Sequence, residues 1–394
     1  MYTLIQFALG VVAILGIAFF FCKNKTDIEY QNLPKILIAE LLTAWFFLKS
    51  DIGVKAVAKI SDFFQILMSF AHKGTEFVFG NLINTTNGFN FFLNALVPIV
   101  FMSALIGILS YTKILNKIIL VLGYVLDKIS GMGKLESYNA LNAMMLGQSE
   151  NFISYKDTLK DMSKAQMFTL SATAMSTISM SIVGTYMLMI PAKLVVAGLF
   201  LNMFSTFAIL TIINPYKKVN DVAVISSNNS ETFFEMLSEY IVAGFKIAVI
   251  VAAMLIGFIS LISMLDSTFL ALFGMSFQTL LGYLFSPFAL IMGIPPSEAV
   301  NTGSIMATKL VSNEFVAMQS LQNLKDVLSA QSFETVCVFL ISFANLSSIG
   351  IIAGAVKAVD ENQGNVAARF GLKLVFTSTL VSMLSATFAH IFVG

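Results

Sequence analysis

Long apolar runs alternate along this chain with short clusters of lysine and acidic residues, and two of the apolar stretches hold polar groups where lipid-facing sequence would have none. Charge-free windows occur at 1-22, 77-112, 165-192, 194-216, 247-265, 267-297, 335-356 and 374-394. A helix needs roughly 20 apolar residues to cross a hydrocarbon core of about 30 Å, so the pattern predicts an all-α polytopic membrane protein. Met1 to Cys22 is too long and too evenly apolar for a cleaved signal peptide and makes the first span. Lys35 to Leu48 follows, opened by Pro34 and carrying Glu40, which its position places near an interface, where snorkelling explains it at least as well as function does. Lysines alternate with apolar clusters from Lys49 to Lys73 and again from Lys113 to Lys134, the pattern of helices lying in the interface. Between them Asn81 to Asn90 reads as a polar external loop and Phe91 to Tyr111 as a span.

The first polar cluster is Gly147-Gln148-Ser149-Glu150-Asn151-Phe152. Charges crowd the sequence from Glu136 to Lys164, so this segment does not cross once. It reads as a hairpin that dips into the bilayer and returns, a course allowed only where protein or water covers the open backbone. Gln166 to Ile190 follows as a charge-free span rich in Ser and Thr, and Leu194 to Ile213 returns. Lys217 and Lys218 mark a cytoplasmic end, and the chain to Ser230 is a surface link. Glu231 to Leu265 predicts a long helix for scaffolding or oligomer contact. The second cluster, Ser312-Asn313-Glu314-Phe315-Val316-Ala317, centres a second hairpin over Thr302 to Gln322, entering from the opposite side. Glu334 to Val356 is a span interrupted at Phe343-Ala344-Asn345-Leu346-Ser347-Ser348, and Leu374 to Val393 is the last crossing.

The order of parts repeats: interfacial piece, hairpin with a central glutamate, span, span. Residues 199–208 and 380–389 also resemble one another. The chain therefore divides into 1-111 (scaffold spans and interfacial helix), 112-213 (first repeat), 231-265 (long helix) and 267-394 (second repeat). Hairpins entering from opposite leaflets make the repeats inverted, with a site near the midplane and alternating access as the mode of action.

Composition narrows the chemistry. With 57% hydrophobic and 11% charged residues, and a net charge of +1, nucleic acid is excluded as a partner and the lipid bilayer is the solvent. Cys22 and Cys337 have no metal-ligand or redox spacing. No cofactor or metal is implied. Arg369 is the only arginine, so an anionic solute would lack its usual bidentate partner, and a neutral, hydroxyl-rich solute fits the clusters better. Phe152, Phe315 and Phe343 stand beside the polar groups and are able to cover a flat ring. A membrane-embedded hydrolase using Glu150 and Glu314 as acid and base is the rival reading. No nucleophile, zinc spacing or Ser-His-Asp grouping supports it, and His72 and His390, the latter taken as interfacial, lie far from both clusters in sequence.

Gly-Gln-Ser-Glu at 147–150, Asn-Glu-Phe-Val-Ala at 313–317 and Phe-Ala-Asn-Leu-Ser-Ser-Ile at 343–349, with Gly-Ile-Pro-Pro-Ser-Glu-Ala at 293–299, resemble the signature segments of the concentrative nucleoside transporters, most closely their bacterial proton-coupled branch. The resemblance implies a homotrimer in the bacterial cytoplasmic (inner) membrane. Each subunit would have eight spans, two re-entrant hairpins and periplasmic termini, and would work by an elevator-like movement. It also implies that Gln148, Ser149 and Glu150 face the nucleobase. Glu314, Asn345 and Ser348 would hold the ribose hydroxyls, with Phe343 lining the pocket. Sodium-coupled members bind the ion between the first hairpin tip and the following span through an asparagine, backbone carbonyls and a serine or threonine. The asparagine position falls on Ala143, with Asn142 one residue away and pointing elsewhere, and the hydroxyl position on Thr177. The missing ligand implies proton (H+) coupling through Glu150 or Glu314, with sodium (Na+) as the alternative.

Overall fold

The computed structural model describes residues 2–22, 24–83, 90–156, 158–216 and 232–394, and every regular element among them is helical. Most of the expected Asn81 to Asn90 loop lies outside the described residues, as do Lys217, Lys218 and the link to Ser230. α1 (Tyr2–Phe20) is apolar on all sides. α2 (Leu33–Lys49) has proline in its first turn, where a missing N–H goes unnoticed. Ser50 caps α3 (Asp51–Phe79), its Oγ accepting from Gly53 N at 3.0 Å. α3 buries Val57, Phe64, Leu67, Met68 and Ala71 on one side and exposes Lys55, Lys59 and Lys73 on the other.

A π turn at Phe92–Leu96 leads into α4 (Ile99–Tyr111), then α5 (Ile114–Ser130) and α6 (Lys134–Leu146). Gly131 at φ +65° and Gly133 at φ +101° make the corner between the last two. After short 3-10 turns at Glu150–Tyr155 and Leu159–Asp161 come α7 (Lys164–Met175), α8 (Met180–Met189) and α9 (Ala192–Ile213). α10 (Phe233–Phe273) runs for 41 residues. The chain then forms α11 (Phe277–Ile291), α12 (Pro296–Val311), α13 (Glu314–Gln322), α14 (Ala330–Leu340), α15 (Leu346–Val359), α16 (Glu361–Arg369) and α17 (Gly371–His390).

Six stretches among the described residues are long and apolar enough to cross a membrane: Thr3–Phe20, Phe92–Tyr111, Lys164–Met189, Ala192–Ile213, Phe233–Phe273 and Gly371–His390. α11 and α12, bent by 113° at Gly293, Ile294 and Pro295, make a seventh if taken together. The centre of the molecule is α9 and α17, buried almost all round and packed on each other, with α1, α2, α7 and α14 about them. α10 packs on α4 and leaves most of its apolar surface open.

Four expectations change here. The span over 166–190 is interrupted, since α7 stops at Met175 and α8 restarts at Met180. A hydroxyl caps the end of α7 and a second chain segment replaces one of the lost helical bonds. Ser176 Oγ turns back to Ala172 O at 2.7 Å, and Thr177 O accepts from Phe343 N at 3.2 Å. The long helix does not end at Leu265 but continues to Phe273, with Gly274 at φ +73° as its stop. Asp266 does not break it, because its carboxylate accepts from Gln278 N at 2.9 Å and Gln278 Nε2 at 2.6 Å and so ties α10 to α11. Glu40 does not snorkel: it is wholly buried between α2 and α9, where Ser205 Oγ donates to it. His390 is likewise buried rather than interfacial. Its Nδ1 lies 2.9 Å from Thr335 Oγ1, and its ring covers Gly293 at the α11–α12 bend.

Candidate functional site

The site is built where four helical courses are interrupted. α6 ends at Gly147, whose φ of +114° turns the chain so that Gln148 to Glu150 meet the α7–α8 interruption. A Cβ at 147 would stand 3.1 Å from Ser179 Cβ and 3.2 Å from Glu150 Oε2, so the close approach depends on glycine. The 176–179 gap in turn touches the 341–345 gap through the Phe343 N to Thr177 O bond. The two polar clusters lie on either side of this junction: Glu150–Tyr155 packs on α15, and Glu314 is held by Asn345.

In the second cluster, Ser312 and Asn313 separate α12 from α13. Asn313 Oδ1 accepts from Val316 N at 3.0 Å, which starts α13 with Glu314 as its first residue, where the helix dipole favours a carboxylate. Asn345 does the same for α15, its Oδ1 accepting from Ser348 N at 2.9 Å and Ser347 Oγ at 2.7 Å. The free end of that side chain, Nδ2, donates to Glu314 Oε2 at 3.0 Å. One asparagine thus caps a helix and aims a carboxylate.

The Tyr186 hydroxyl lies against the Glu314 carboxyl, and two buried polar atoms of the clusters have no hydrogen-bond partner: Ser348 Oγ, in the first turn of the helix that Asn345 caps, and Gln148 Oε1 of the first cluster. Buried polar groups are normally satisfied, and orphaned atoms in both polar clusters suit a surface that meets a polar ligand. Ser149, Glu150 and Phe343 are half-buried. Of the three aromatic candidates only Phe343 keeps an open side. Phe152 is wholly enclosed, and Phe315 packs edge-on to Tyr186 at 5.1 Å and Phe91 at 6.5 Å, so both serve the core.

At the first cluster Ala143 is buried in α6, its carbonyl accepting from Gly147 N at 2.9 Å. Asn142 turns its amide away, to Asn151 Oδ1 at 2.8 Å and Ser154 Oγ at 3.1 Å, and Asn151 Nδ2 donates to Asn139 Oδ1 at 2.8 Å. This carboxamide ladder holds the turn to α6. Thr177 is buried in the α7–α8 interruption, its Oγ1 3.4 Å from Ile178 O.

Residues outside the motifs also belong to the junction. Asn202 of α9 donates through Nδ2 to Ile341 O and accepts from Ser385 Oγ at 2.6 Å. Lys309 enters the same gap from α12. A charge in an apolar segment was the available signal for Lys309. Tyr186 had none, since it is one ring in a run of apolar residues.

Two profiles described as "Na+ dependent nucleoside transporter", C-terminus and N-terminus, match residues 194–390 and 9–82, and one described as "Nucleoside recognition" matches 92–193. The purine nucleoside transport protein NupG of Bacillus subtilis is 33% identical over the whole of both chains. The chain belongs to the nucleoside transporter family. The nucleoside permease NupC of Helicobacter pylori is 28% identical, covering 98% of this transporter and 97% of its own length. Among solved structures, CNTnw in an inward-facing substrate-bound state superposes with a TM-score of 0.92 at 26% identity over 100% of both chains. Variants of CNTnw in an outward-facing state reach 0.93 at 25% identity, over 99% of this chain and 98% of theirs. The fold is that of a polytopic membrane transporter with bacterial relatives, and not of an enzyme.

Proposed function

We propose that this transporter drives nucleosides uphill across the bacterial inner membrane by symport with a cation, a proton in the first instance. The observation that carries the reading is the Asn345–Glu314 bond, with the Tyr186 hydroxyl against the same carboxyl and an unsatisfied Ser348 Oγ on the helix that Asn345 caps. A carboxylate accepts from two neighbouring sugar hydroxyls, while a carboxamide with a second carboxylate reads the donor and acceptor edge of a base. On this reading Glu314, Asn345 and Ser348 take the ribose, Gln148, Ser149 and Glu150 the base, and Phe343 lies against the ring.

The segments about Glu150 and Glu314 act as re-entrant hairpins of two inverted repeats. They move together past a scaffold that includes α10, in an elevator-type cycle, and the open apolar face of α10 meets other subunits in a homotrimer. A sodium-coupled cycle is the second reading, favoured by the buried Thr177 at the α7–α8 gap and by the wording of the matched profiles.

Reconstituted in liposomes, the protein should accumulate labelled uridine or inosine above equilibrium, and unlabelled nucleosides should compete. Glu314→Gln should lower concentrative uptake at least a hundredfold, since a neutral amide accepts only weakly from the ribose hydroxyls. Undiminished uptake by that variant would remove Glu314 from the site.

A further inference from the structure

Apart from the junction of interrupted helices, a cavity of about 290 Å³ lies between the start of α11, the first half of α12 and the end of α13. That is close to the lower bound of small-molecule sites, roughly 300 Å³. Gln278 and Thr279 line it from α11, Asn301 and Ser304 from α12, and Ser320 and Asn323 from the end of α13, and no charged side chain takes part. Its walls are held from behind. Gln278 is tied to Asp266 of α10 through its backbone N and its Nε2, and α11 touches α12 where a Cβ at Gly303 would fall 2.4 Å from Gly282 O. The cavity is thus fixed by the packing around it. It is also separate from the Glu314 site: Ser320 lies about 9 Å along α13 from Glu314 and Asn323 about 14 Å, at 1.5 Å per residue.

Counting hydrogens shows what the cavity can hold. Ser304 Oγ gives its hydrogen to Asn301 O at 2.8 Å and Ser320 Oγ gives its own to Val316 O at 3.0 Å, so each keeps only lone pairs for a guest. Gln278 spends Nε2 on an Asp266 oxygen at 2.6 Å and keeps Oε1. The side chains of Asn301 and Asn323 bond to no other described residue and offer both an oxygen and an amide nitrogen. Five acceptor oxygens therefore stand against two donor nitrogens. An anion would lack donors here, whereas a neutral solute rich in O–H and N–H groups finds partners on three sides. Val300, Ile305 and Leu324 add apolar surface for the face of a ring.

We infer that this cavity is a second binding site for the neutral nucleoside, a staging position at the base of the α12–α13 hairpin, apart from the Glu314 site near its tip. The inference rests on the transport reading, which supplies the solute. With no carboxylate in its lining, the staging site binds without a cation and without regard to pH. It is also the weaker of the two, because no charged group strengthens its hydrogen bonds.

Equilibrium dialysis of labelled uridine or inosine against the full chain in detergent tests this. The unmodified protein should bind a second nucleoside per chain, roughly tenfold or more weaker than the first. The weak binding should be the same in acid and neutral buffer, and with or without sodium. Glu314→Gln should keep only the weak site, Asn301→Leu with Asn323→Leu only the tight one, and the triple variant neither. A single class of site in the unmodified protein would overturn the inference, as would weak binding that survives loss of both asparagines. If the asparagine pair does not fold, Asn323→Trp, which fills the cavity from an exposed position, decides by the same readout: weak binding should vanish, and its persistence would overturn the inference. Lack of uphill uptake by the unmodified protein would instead sink the transport reading, and the dialysis, which needs no transport, would still judge the cavity.

Discussion

Gly147 carries a structural demand that no other residue type meets, for two reasons that add. Its φ of +114° lies where a side chain is strained, and a methyl there would press on Ser179 and Glu150. Strain of this kind costs about 1–3 kcal/mol per residue. Gly147→Ala should therefore unfold several degrees lower in detergent. Its KM for nucleoside should rise about tenfold as Gln148 and Glu150 shift, read from uptake kinetics; an unchanged KM would show that the turn tolerates the displacement. Residues such as Gln148, Glu150, Glu314 and Asn345 are legible in sequence because polar groups in apolar surroundings need a use. Glu40 and His390 break the same rule, yet sequence gives them the wrong place. Each lies near the end of an apolar run, where depth and interface look alike, and only the facing residues, Ser205 for one and Thr335 for the other, reveal burial. The partners of Lys309 are hidden for a related reason: its three acceptors come from residues 339, 342 and 382, far along the chain.

Elements show where hydropathy succeeds and where it stops. It finds α1, α9, α10 and α17, whose apolar content exceeds what any soluble helix needs. It misses the α7–α8 interruption because the residues that compensate it, Ser176 and Thr177, are as compatible with a continuous membrane helix as with a broken one. The 341–345 interruption is visible because Asn345 is a strong cap in an otherwise apolar run. The pairing of α11 with α12 rests on glycine and is equally invisible to hydropathy. A Cβ at Gly303 would fall 2.4 Å from Gly282 O, and one at Gly282 would fall 2.4 Å from Val300 O, so the two backbones touch. Small residues allow such contact in membranes, where little else drives helices together. Gly303→Val should destabilise by about 2–3 kcal/mol, since the obstacle is backbone and has no rotamer to change. Gly257→Ala on α10, with nothing within 4 Å, should be neutral. Parallel thermal unfolding of the two variants checks this, and equal stability would mean that α11 and α12 separate without penalty.

At the scale of the whole molecule the open question is which ion couples the two halves, and the structure bears on it through one missing side chain. Sodium is held by several oxygens at once. The α7–α8 gap offers Thr177 Oγ1, but that hydroxyl lies 3.4 Å from Ile178 O, and the carbonyl of Thr177 is already engaged by Phe343 N at 3.2 Å. At the position where the family resemblance expects an asparagine, Ala143 contributes no side-chain oxygen, and the neighbouring Asn142 is tied through its Nδ2 to Asn151 and Ser154. A proton needs no such cage. It needs one carboxyl able to bind and release it, and Glu150 is half-buried, next to the gap and without a cationic partner among the described residues. Replacing sodium with choline should therefore leave concentrative uptake within about twofold, while an uncoupler should abolish it. Glu150→Gln should convert the protein to slow equilibration that the proton gradient no longer drives. The opposite pattern, with uptake lost without sodium and surviving the uncoupler, would assign the Thr177 gap to sodium despite its missing ligand. Restoring the oxygen by Ala143→Asn tests the same point from the other side: it should confer sodium stimulation on a protein that otherwise shows none.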